Sequence, residues 1–254
     1  MNVEPRKQGL KTGSFDTRAL IEKKKSANAQ VVVKVDDRAA IRQKIIVEVR
    51  RQKVSFVTRS EWKAKESKAS GLAEDWDYTG IALHHAGNSY ACDADGAGKM
   101  RRVQEEHLGR GSSDIGYHYA IDCQGVVYEG RDIRYLGAHI GRVPKVIGIV
   151  LLADMSVRGE QRKIEGNLPW WKRSYFGALP TYDDIAVNHD EPTEVQINAL
   201  ETLTKVLRAN FRGISRFGGH REWASQAGGS RACPGTYGLI LADMMRRNLS
   251  MVKP

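Results

Sequence analysis

Two short apolar segments constrain the fold of this chain more than any other feature. Residues 79–85 (TGIALHH) and 145–152 (KVIGIVLL) are each long enough for one strand. Continuous apolar runs of this length are typical of strands that are buried on both faces of a sheet. Between them, residues 99–108 carry their apolar side chains at helical spacing. Strands that alternate with helices predict an α/β fold, with a central mixed β-sheet flanked by helices.

Turn signals add a hairpin and an irregular segment. Residues 116–122 and 126–129 have strand-like composition, and Gln124-Gly125 between them predicts a hairpin turn. Residues 156–192 show no period and contain Pro and adjacent Asp residues. We expect this segment to be a long loop or an insertion.

Two further helices follow from capping and periodicity. Thr193 is a suitable N-cap, and Gln196 three residues later completes a capping-box pattern. The residues that follow form one apolar stripe at spacings of three and four: Ile197, Leu200, Leu203, Leu207 and Phe211. A last helix is predicted over residues 239–249.

The net charge of +10 is concentrated near the N-terminus. Residues 1–56 hold 14 Lys and Arg against 6 Asp and Glu, a net charge of +8, and they contain no Trp or Tyr. This contrast predicts a basic arm or small subdomain over residues 1–55 and a main domain over residues 56–254. Within the basic part, residues 30–35 and 44–49 are predicted to be short strands around a helix-compatible stretch at 36–43.

A basic segment of this kind attracts polyanions, so anionic envelope polymers are candidate partners and the arm would serve wall targeting or delivery. The alternative is a solvated face that only aids solubility. Nucleic acid is not expected as a partner, because no aromatic residues are interleaved with the lysines.

Membrane and disulfide classes are disfavoured. No stretch approaches the roughly 18 apolar residues of a transmembrane helix, and the first residues lack the ~7–15-residue apolar core of a signal peptide. Three cysteines are an odd number, which excludes a complete disulfide framework. Cys92 and Cys123 could form one bridge, but we expect reduced thiols.

Four residues are candidates for zinc chemistry, which uses imidazole and thiolate ligands and, in catalytic sites, one open position for water. They are His84 and His85 at the end of a predicted strand, His220 after two glycines, and Cys233 before Pro234. None has the tight spacing of a zinc finger. Spacing alone leaves the alternative of ordinary histidines and a small buried thiol.

The local sequence around these residues is more informative. Seven segments occur in this order: IALHHAG, DIGYHYAIDCQGVVYEGR, GAHIG, VIGIVLLADMS, PTEVQINAL, GGHRE and ACPG. Together they resemble the zinc amidases of the peptidoglycan recognition protein and bacteriophage amidase-lysozyme superfamily. VTRSEWKA at 57–64 is similar to the opening of that domain, so the resemblance covers about residues 56–245.

The resemblance implies a site for Zn²⁺. His84, His220 and Cys233 would be the metal ligands, which leaves a fourth position open. Tyr117 matches a tyrosine beside the reacting water and would be catalytic. His85 would be a structural or substrate-side neighbour rather than a ligand. His139 would line the cleft, where it either contacts substrate or packs.

The chain departs from the family pattern at three places. Arg231 stands where the family often has Lys or Thr; its guanidinium stays protonated, so it can stabilise an oxyanion but is a poor proton donor. An unusually long segment separates His220 from Cys233. Val150 stands where the related cytoplasmic recycling amidases have Glu, which favours the phage and recognition-protein branch.

The reaction implied is hydrolysis of the amide between the lactyl group of N-acetylmuramic acid and L-alanine of the stem peptide, by zinc-activated water. The chain would then be an N-acetylmuramoyl-L-alanine amidase that degrades bacterial peptidoglycan. Two alternatives are a module that binds muropeptides without cutting them and a regulator whose basic leader docks another macromolecule.

Two biological settings agree with these expectations. A phage endolysin would be made in the cytoplasm without a signal peptide and would reach the wall through a holin. An interbacterial toxin would reach the periplasm through a secretion system and be paired with an immunity protein. We favour the endolysin.

Overall fold

Strands and helices alternate along the part of the chain that the computed structural model describes, which is residues 37–87, 92, 95–141, 143–165, 190–226 and 228–254. A 3₁₀ turn at Ala69–Gly71 precedes β2. In chain order the elements are α1 (Asp37–Arg51), β1 (Phe56–Val57), β2 (Gly80–His85), α2 (Gly96–Gly109), β3 (Tyr119–Ile121), β4 (Val127–Glu129), β5 (Val146–Leu151), α3 (Glu160–Glu165), α4 (Glu194–Asn210), β6 (Arg216–Gly219), α5 (His220–Gln226) and α6 (Gly235–Leu249).

The six strands form one mixed sheet in the order β1-β4-β3-β5-β2-β6. β3 pairs with β4 in an antiparallel sense, and the other described pairs are parallel. β2 and β5 pair at the centre from Gly80↔Val146 to His85↔Leu151 and are buried almost throughout. This position explains the two apolar runs and confirms the predicted α/β fold.

The predicted capping box begins helix α4. The Thr193 hydroxyl accepts a hydrogen bond from the backbone N–H of Gln196 at 3.2 Å, and the Gln196 side chain accepts one from the backbone N–H of Thr193 at 3.1 Å. The buried leucines of this helix, Leu200, Leu203 and Leu207, belong to the main core. The last helix is also confirmed, although it begins at Gly235 rather than at residue 239.

The strand predicted over residues 44–49 is wrong, because these residues lie within α1. Neighbouring Ile45 and Ile46 would point to opposite faces of a strand. In the helix both side chains, together with Val49, are buried in the main core. Packing of this face outweighs the strand propensity of β-branched residues. The strand predicted over residues 30–35 lies outside the described residues.

Helix α1 belongs to the same compact unit as the sheet, which runs from Asp37 to Pro254. Arg42 on α1 makes two hydrogen bonds to Glu129 at the end of β4, at 2.5 and 2.6 Å. The basic character of residues 37–51 therefore coexists with a structural role. The proposed targeting function of residues 1–55 stays a prediction, and residues 1–36 lie outside the described part.

The hairpin is confirmed, and it carries a disulfide that was not expected. β3 and β4 are antiparallel, and Gly125 in their turn has φ +77°, a conformation that favours glycine. Cys123 beside this turn is bonded to Cys92, with a Cα–Cα distance of 5.6 Å. The expectation of reduced thiols is therefore wrong for this pair. Residue counts gave an odd total but did not show that these two side chains meet.

Part of the predicted irregular segment is helical, since α3 occupies Glu160–Glu165. Residues 166–189 lie outside the described part of the chain. Among the described residues, no helix has the length and apolar content needed to cross a bilayer.

Candidate metal centre

Two histidines meet because β2 and β6 are neighbouring parallel strands. Their register pairs Leu83 with Gly219, and each of these two residues is followed by a histidine. His84 is the fifth residue of β2, and His220 begins α5 directly after β6. The ring centroids of His84 and His220 are 4.6 Å apart. The strand pairing therefore brings together two imidazoles that are far apart in sequence.

Cys233 reaches the same edge of the sheet from the loop before α6. Its Sγ lies 3.5 Å from Nδ1 of His84. The candidate ligand atoms of His84, His220 and Cys233 all lie within 4.8 Å of one another. Within the described residues, this is the one group of at least three His, Cys, Asp or Glu side chains that could hold a metal ion.

The donor set fits zinc. In a tetrahedral zinc site the distance between an imidazole nitrogen and a thiolate sulfur is about 3.6 Å, close to the 3.5 Å observed between His84 and Cys233. Burial and the neighbouring His220 hold the pKa of His84 well below its ordinary value. Burial, with the positive charge of Arg231, lowers the pKa of His220 to about 3. Both imidazoles are therefore neutral near pH 7, as metal ligands must be.

The Cys233 loop is held by an ion pair between Arg221 and Glu160. Arg221 donates from its backbone N–H to the carbonyl of Cys233 at 2.9 Å and from its guanidinium to the carbonyls of Arg231 and Ala232. Glu160 accepts from Arg221 at 2.5 Å. Its second oxygen accepts from the backbone N–H of Thr236 at 2.9 Å. These bonds connect both sides of the cysteine to helices α3 and α5.

His139 lies behind His84. Its Nδ1 is 2.9 Å from Nε2 of His84, and its own Nε2 is 3.2 Å from the carbonyl oxygen of Val146. The side chain is buried, with 8% of the residue exposed. Burial holds the pKa of His139 well below its ordinary value. The predicted alternatives of substrate contact and packing both stay predictions.

The remaining predicted site residues surround the three candidate ligands. The Tyr117 ring packs against His84, with centroids 4.9 Å apart. Arg231 is close enough to His220 for its charge to lower the pKa of that histidine. His85 accepts a hydrogen bond at Nδ1 from the backbone N–H of Met155 at 3.1 Å. The catalytic roles of Tyr117 and Arg231 and the substrate contact of His85 stay predictions.

Sequence reasoning missed the residues that hold the ligands in place. Arg221 and Glu160 are 61 positions apart, and nothing local to Glu160 indicates that it approaches the Cys233 loop. Arg221 follows His220 directly in the segment GGHRE, and this adjacency to a candidate ligand could have identified it. The next residue, Glu222, accepts hydrogen bonds from the backbone N–H of Gly219 and from Arg246, both at 2.9 Å.

Comparison with known proteins agrees with this site. Residues 75–236 match the Amidase_2 family, described as N-acetylmuramoyl-L-alanine amidase. Peptidoglycan recognition protein 1 of Bos indicus is 36% identical over 104 residues, which are 39% of this chain and 54% of that protein. The chain spans about half the length of the curated relatives that it matches.

Solved structures share the fold at low sequence identity. The endolysin amidase LysCS from Clostridium intestinale aligns with a TM-score of 0.53 at 19% identity, over 78% of this chain and 96% of that chain. A Drosophila PGRP-LB mutant in complex with tracheal cytotoxin aligns with a TM-score of 0.51 at 22% identity, over 73% and 90%. The family match covers more than half of the chain and includes all three candidate ligands. This chain belongs to the Amidase_2 family of N-acetylmuramoyl-L-alanine amidases.

Proposed function

We propose that this chain is a zinc-dependent amidase that hydrolyses the bond between the lactyl group of N-acetylmuramic acid and L-alanine in bacterial peptidoglycan. The observation that carries the proposal is the convergence of His84, His220 and Cys233 at one edge of the sheet. Among the described residues the cluster contains no fourth ligand, whereas a structural zinc site is closed by four protein ligands. Three ligands leave a position for water, as hydrolysis requires.

Zinc held by these ligands would activate a water molecule and polarise the amide carbonyl. The side chains around it would stabilise negative charge on the carbonyl oxygen. Tyr117 carries a phenol O–H and packs on the ring of His84, so it is the first proposed donor. Arg231 is the second, because its guanidinium is a cationic hydrogen-bond donor near His220.

Glu222 is not assigned a catalytic role, although it is the carboxylate nearest to a ligand in sequence. One of its oxygens accepts from both Gly219 and Arg246, and Arg246 is itself 7% exposed. Glu222 thus supports the strand that precedes His220. We propose that the leaving amine takes its proton from water.

For the biological setting we propose a phage endolysin that reaches the cell wall through a holin. An interbacterial toxin with an immunity protein is the alternative. In either setting the net charge of +8 on residues 1–56 would attract anionic polymers of the bacterial envelope.

A second candidate function is recognition of muropeptides without hydrolysis. The observation that favours it is the related structure solved in complex with tracheal cytotoxin. The two functions differ in their need for zinc chemistry, so one experiment separates them.

The experiment incubates the purified full chain with peptidoglycan, with added zinc or with a chelator, and detects peptides with a free L-alanine amino terminus by mass spectrometry. We expect release that requires zinc and is lost in Cys233→Ala. Tyr117→Phe should keep zinc but lower kcat by about 10²–10³, whereas Tyr237→Phe should match the wild type. Zinc binding without product would support recognition alone. No zinc binding would contradict the proposed site.

A further inference from the structure

We propose that His139 is a positioning residue that accepts a hydrogen bond from Nε2–H of His84 and so presents the lone pair of His84 Nδ1 to the metal. The inference rests on the proposed zinc site and deepens it. It assigns to a histidine outside the ligand set the task of selecting the tautomer of a ligand.

The backbone carbonyl of Val146 fixes the donor and the acceptor of each hydrogen bond in this chain of contacts. The carbonyl oxygen of Val146 can only accept, so Nε2 of His139, at 3.2 Å, must carry the hydrogen. A neutral imidazole has one ring hydrogen, which leaves Nδ1 of His139 as an acceptor. His84 Nε2, 2.9 Å away, must then donate. The unprotonated nitrogen of His84 is Nδ1, the atom that faces Cys233 Sγ at 3.5 Å.

The neutral form of His139 is required by its surroundings. The residue is 8% exposed, and its hydrogen-bond partners among the described residues are the His84 ring and a backbone carbonyl. Neither partner carries a negative charge. Burial of an imidazolium without a counter-charge is costly, so the uncharged ring is the stable form.

Two glycines make room for this ring. A Cβ on Gly148 would lie 2.5 Å from Cδ2 of His139, and a Cβ on Gly137 would lie 2.3 Å from the same atom. Neither glycine has a positive φ, so the backbone conformation does not demand glycine at these positions. Space for the His139 ring explains the glycine of VIG, and space for the rings of His139 and His118 explains the glycine of GAH.

His118 provides a matched control. It is 0% exposed, and it is held in the same way, accepting from Gly148 N–H at Nδ1 and lying 2.9 Å from the Tyr135 carbonyl at Nε2. Its ring is 5.8 Å from that of His139, and its hydrogen bonds reach no candidate ligand. Substitution of His118 therefore reports the effect of losing a buried histidine that contacts no candidate ligand.

The test measures zinc affinity of the full chain by competition with a chromophoric chelator. His139→Phe, which fills the space without an acceptor, should raise the zinc Kd by about 10–100-fold. His139→Asn, whose side-chain oxygen can accept near the position of Nδ1, should recover most of the affinity. His118→Phe should lower Tm but leave the zinc Kd close to the wild-type value. Equal zinc affinity of His139→Phe and the wild type would overturn the proposal.

A second measurement needs no substitution. Nitrogen-15 NMR of the metal-free wild type should find His84 protonated at Nε2 and not at Nδ1. Protonation at Nδ1 would overturn the proposal even where His139→Phe fails to fold. A wild type that binds no zinc would overturn the proposed function as well, whereas tight binding with an unchanged His139→Phe would refute only the positioning role.

Discussion

The two halves of the metal site are built in different ways. His84 lies on a central strand with a neighbour on each side, is 1% exposed, and is supported from behind by His139. Cys233 lies in a loop, is partly exposed, and depends on bonds from Arg221, which is in turn paired with Glu160. The strand half of the site, which is His84 with His139, is positioned by the sheet. The loop half, which is Cys233, depends on the ion pair between Arg221 and Glu160.

The strand therefore preorganises its ligand more firmly than the loop does. A ligand on a strand keeps its position as long as the sheet is folded. Its tautomer and ring orientation then decide which nitrogen lone pair faces the metal. A ligand on a loop can move while the rest of the protein stays folded. We therefore expect changes on the strand side to affect both folding and zinc, and changes on the loop side to affect mainly zinc.

The largest expected effect is loss of zinc binding in either His84→Ala or Cys233→Ala, because each removes one of three ligands. The metal-free proteins should differ. His84→Ala leaves the Nδ1 acceptor of His139 without its donor and opens a cavity, at a cost of about 1–3 kcal/mol. Cys233→Ala should leave Tm of the metal-free protein nearly unchanged. Zinc titration and thermal melts with chelator check both expectations; equal melts would contradict the comparison.

The next effect concerns the core that supports the strand half. Ile45 on α1 is 0% exposed, and Ile45→Ala should lower the free energy of unfolding by about 2–5 kcal/mol. The matched change Lys44→Ala, at a side chain that is 57% exposed, should alter it by about 0.5 kcal/mol or less. Denaturant unfolding measures both. A small effect of Ile45→Ala would refute the packing of α1 on the core.

A smaller effect is expected at the ion pair of the loop half. Glu160→Gln should weaken the hold on Arg221 and raise the zinc Kd about tenfold, with little change in Tm. Glu129→Gln is the control, because Glu129 is equally buried and is paired with Arg42 at the same 2.5 Å, away from the candidate ligands. It should lower Tm, because Glu129 joins α1 to the sheet through Arg42 rather than holding a loop, and it should leave zinc affinity unchanged. The reverse pattern would contradict the assignment of Glu160 to the Cys233 loop.

The last prediction is a pH dependence of stability on the strand side. Burial lowers the pKa of His118 from its ordinary 6.5 to about 4. Between these values the unfolded chain binds a proton that the folded chain does not, so stability falls as pH falls through this window. The contribution approaches about 1.4 kcal/mol per pH unit. His118→Asn should flatten the stability profile between pH 6.5 and 4, as measured by urea unfolding of the metal-free protein. An identical slope would contradict burial of a neutral His118.

Much of the fold could be predicted because it depends on local patterns. β2 and β5 are apolar runs, and α4 begins at a capping box, so neighbouring residues alone identify them. Local patterns gave the wrong conformation for residues 44–49, because contacts of α1 with α4 and the sheet decide it. The Cys92–Cys123 disulfide was not predicted for the same reason, since no local pattern gives the distance between two segments that are far apart in sequence.

The ligands could be predicted only through the resemblance to a family, since their spacing in sequence is not diagnostic. The register of β2 and β6 supplies the missing reason, because it places residues 84 and 220 side by side. The contacts that hold the ligands in place could not be predicted from the sequence. His139 reaches His84 across 55 positions, and Glu160 reaches Arg221 across 61. Such partners are visible only once the chain has folded.

The most direct test of the proposed metal site is a cobalt titration of the metal-free full chain, followed by optical absorption. Cobalt replaces zinc in N/S sites and reports both thiolate ligation and coordination geometry. We expect one cobalt per chain, visible bands of a tetrahedral site and a sulfur-to-metal charge-transfer band that disappears in Cys233→Ser. Cobalt bound without the charge-transfer band, or a band that persists in Cys233→Ser, would contradict a site built from His84, His220 and Cys233.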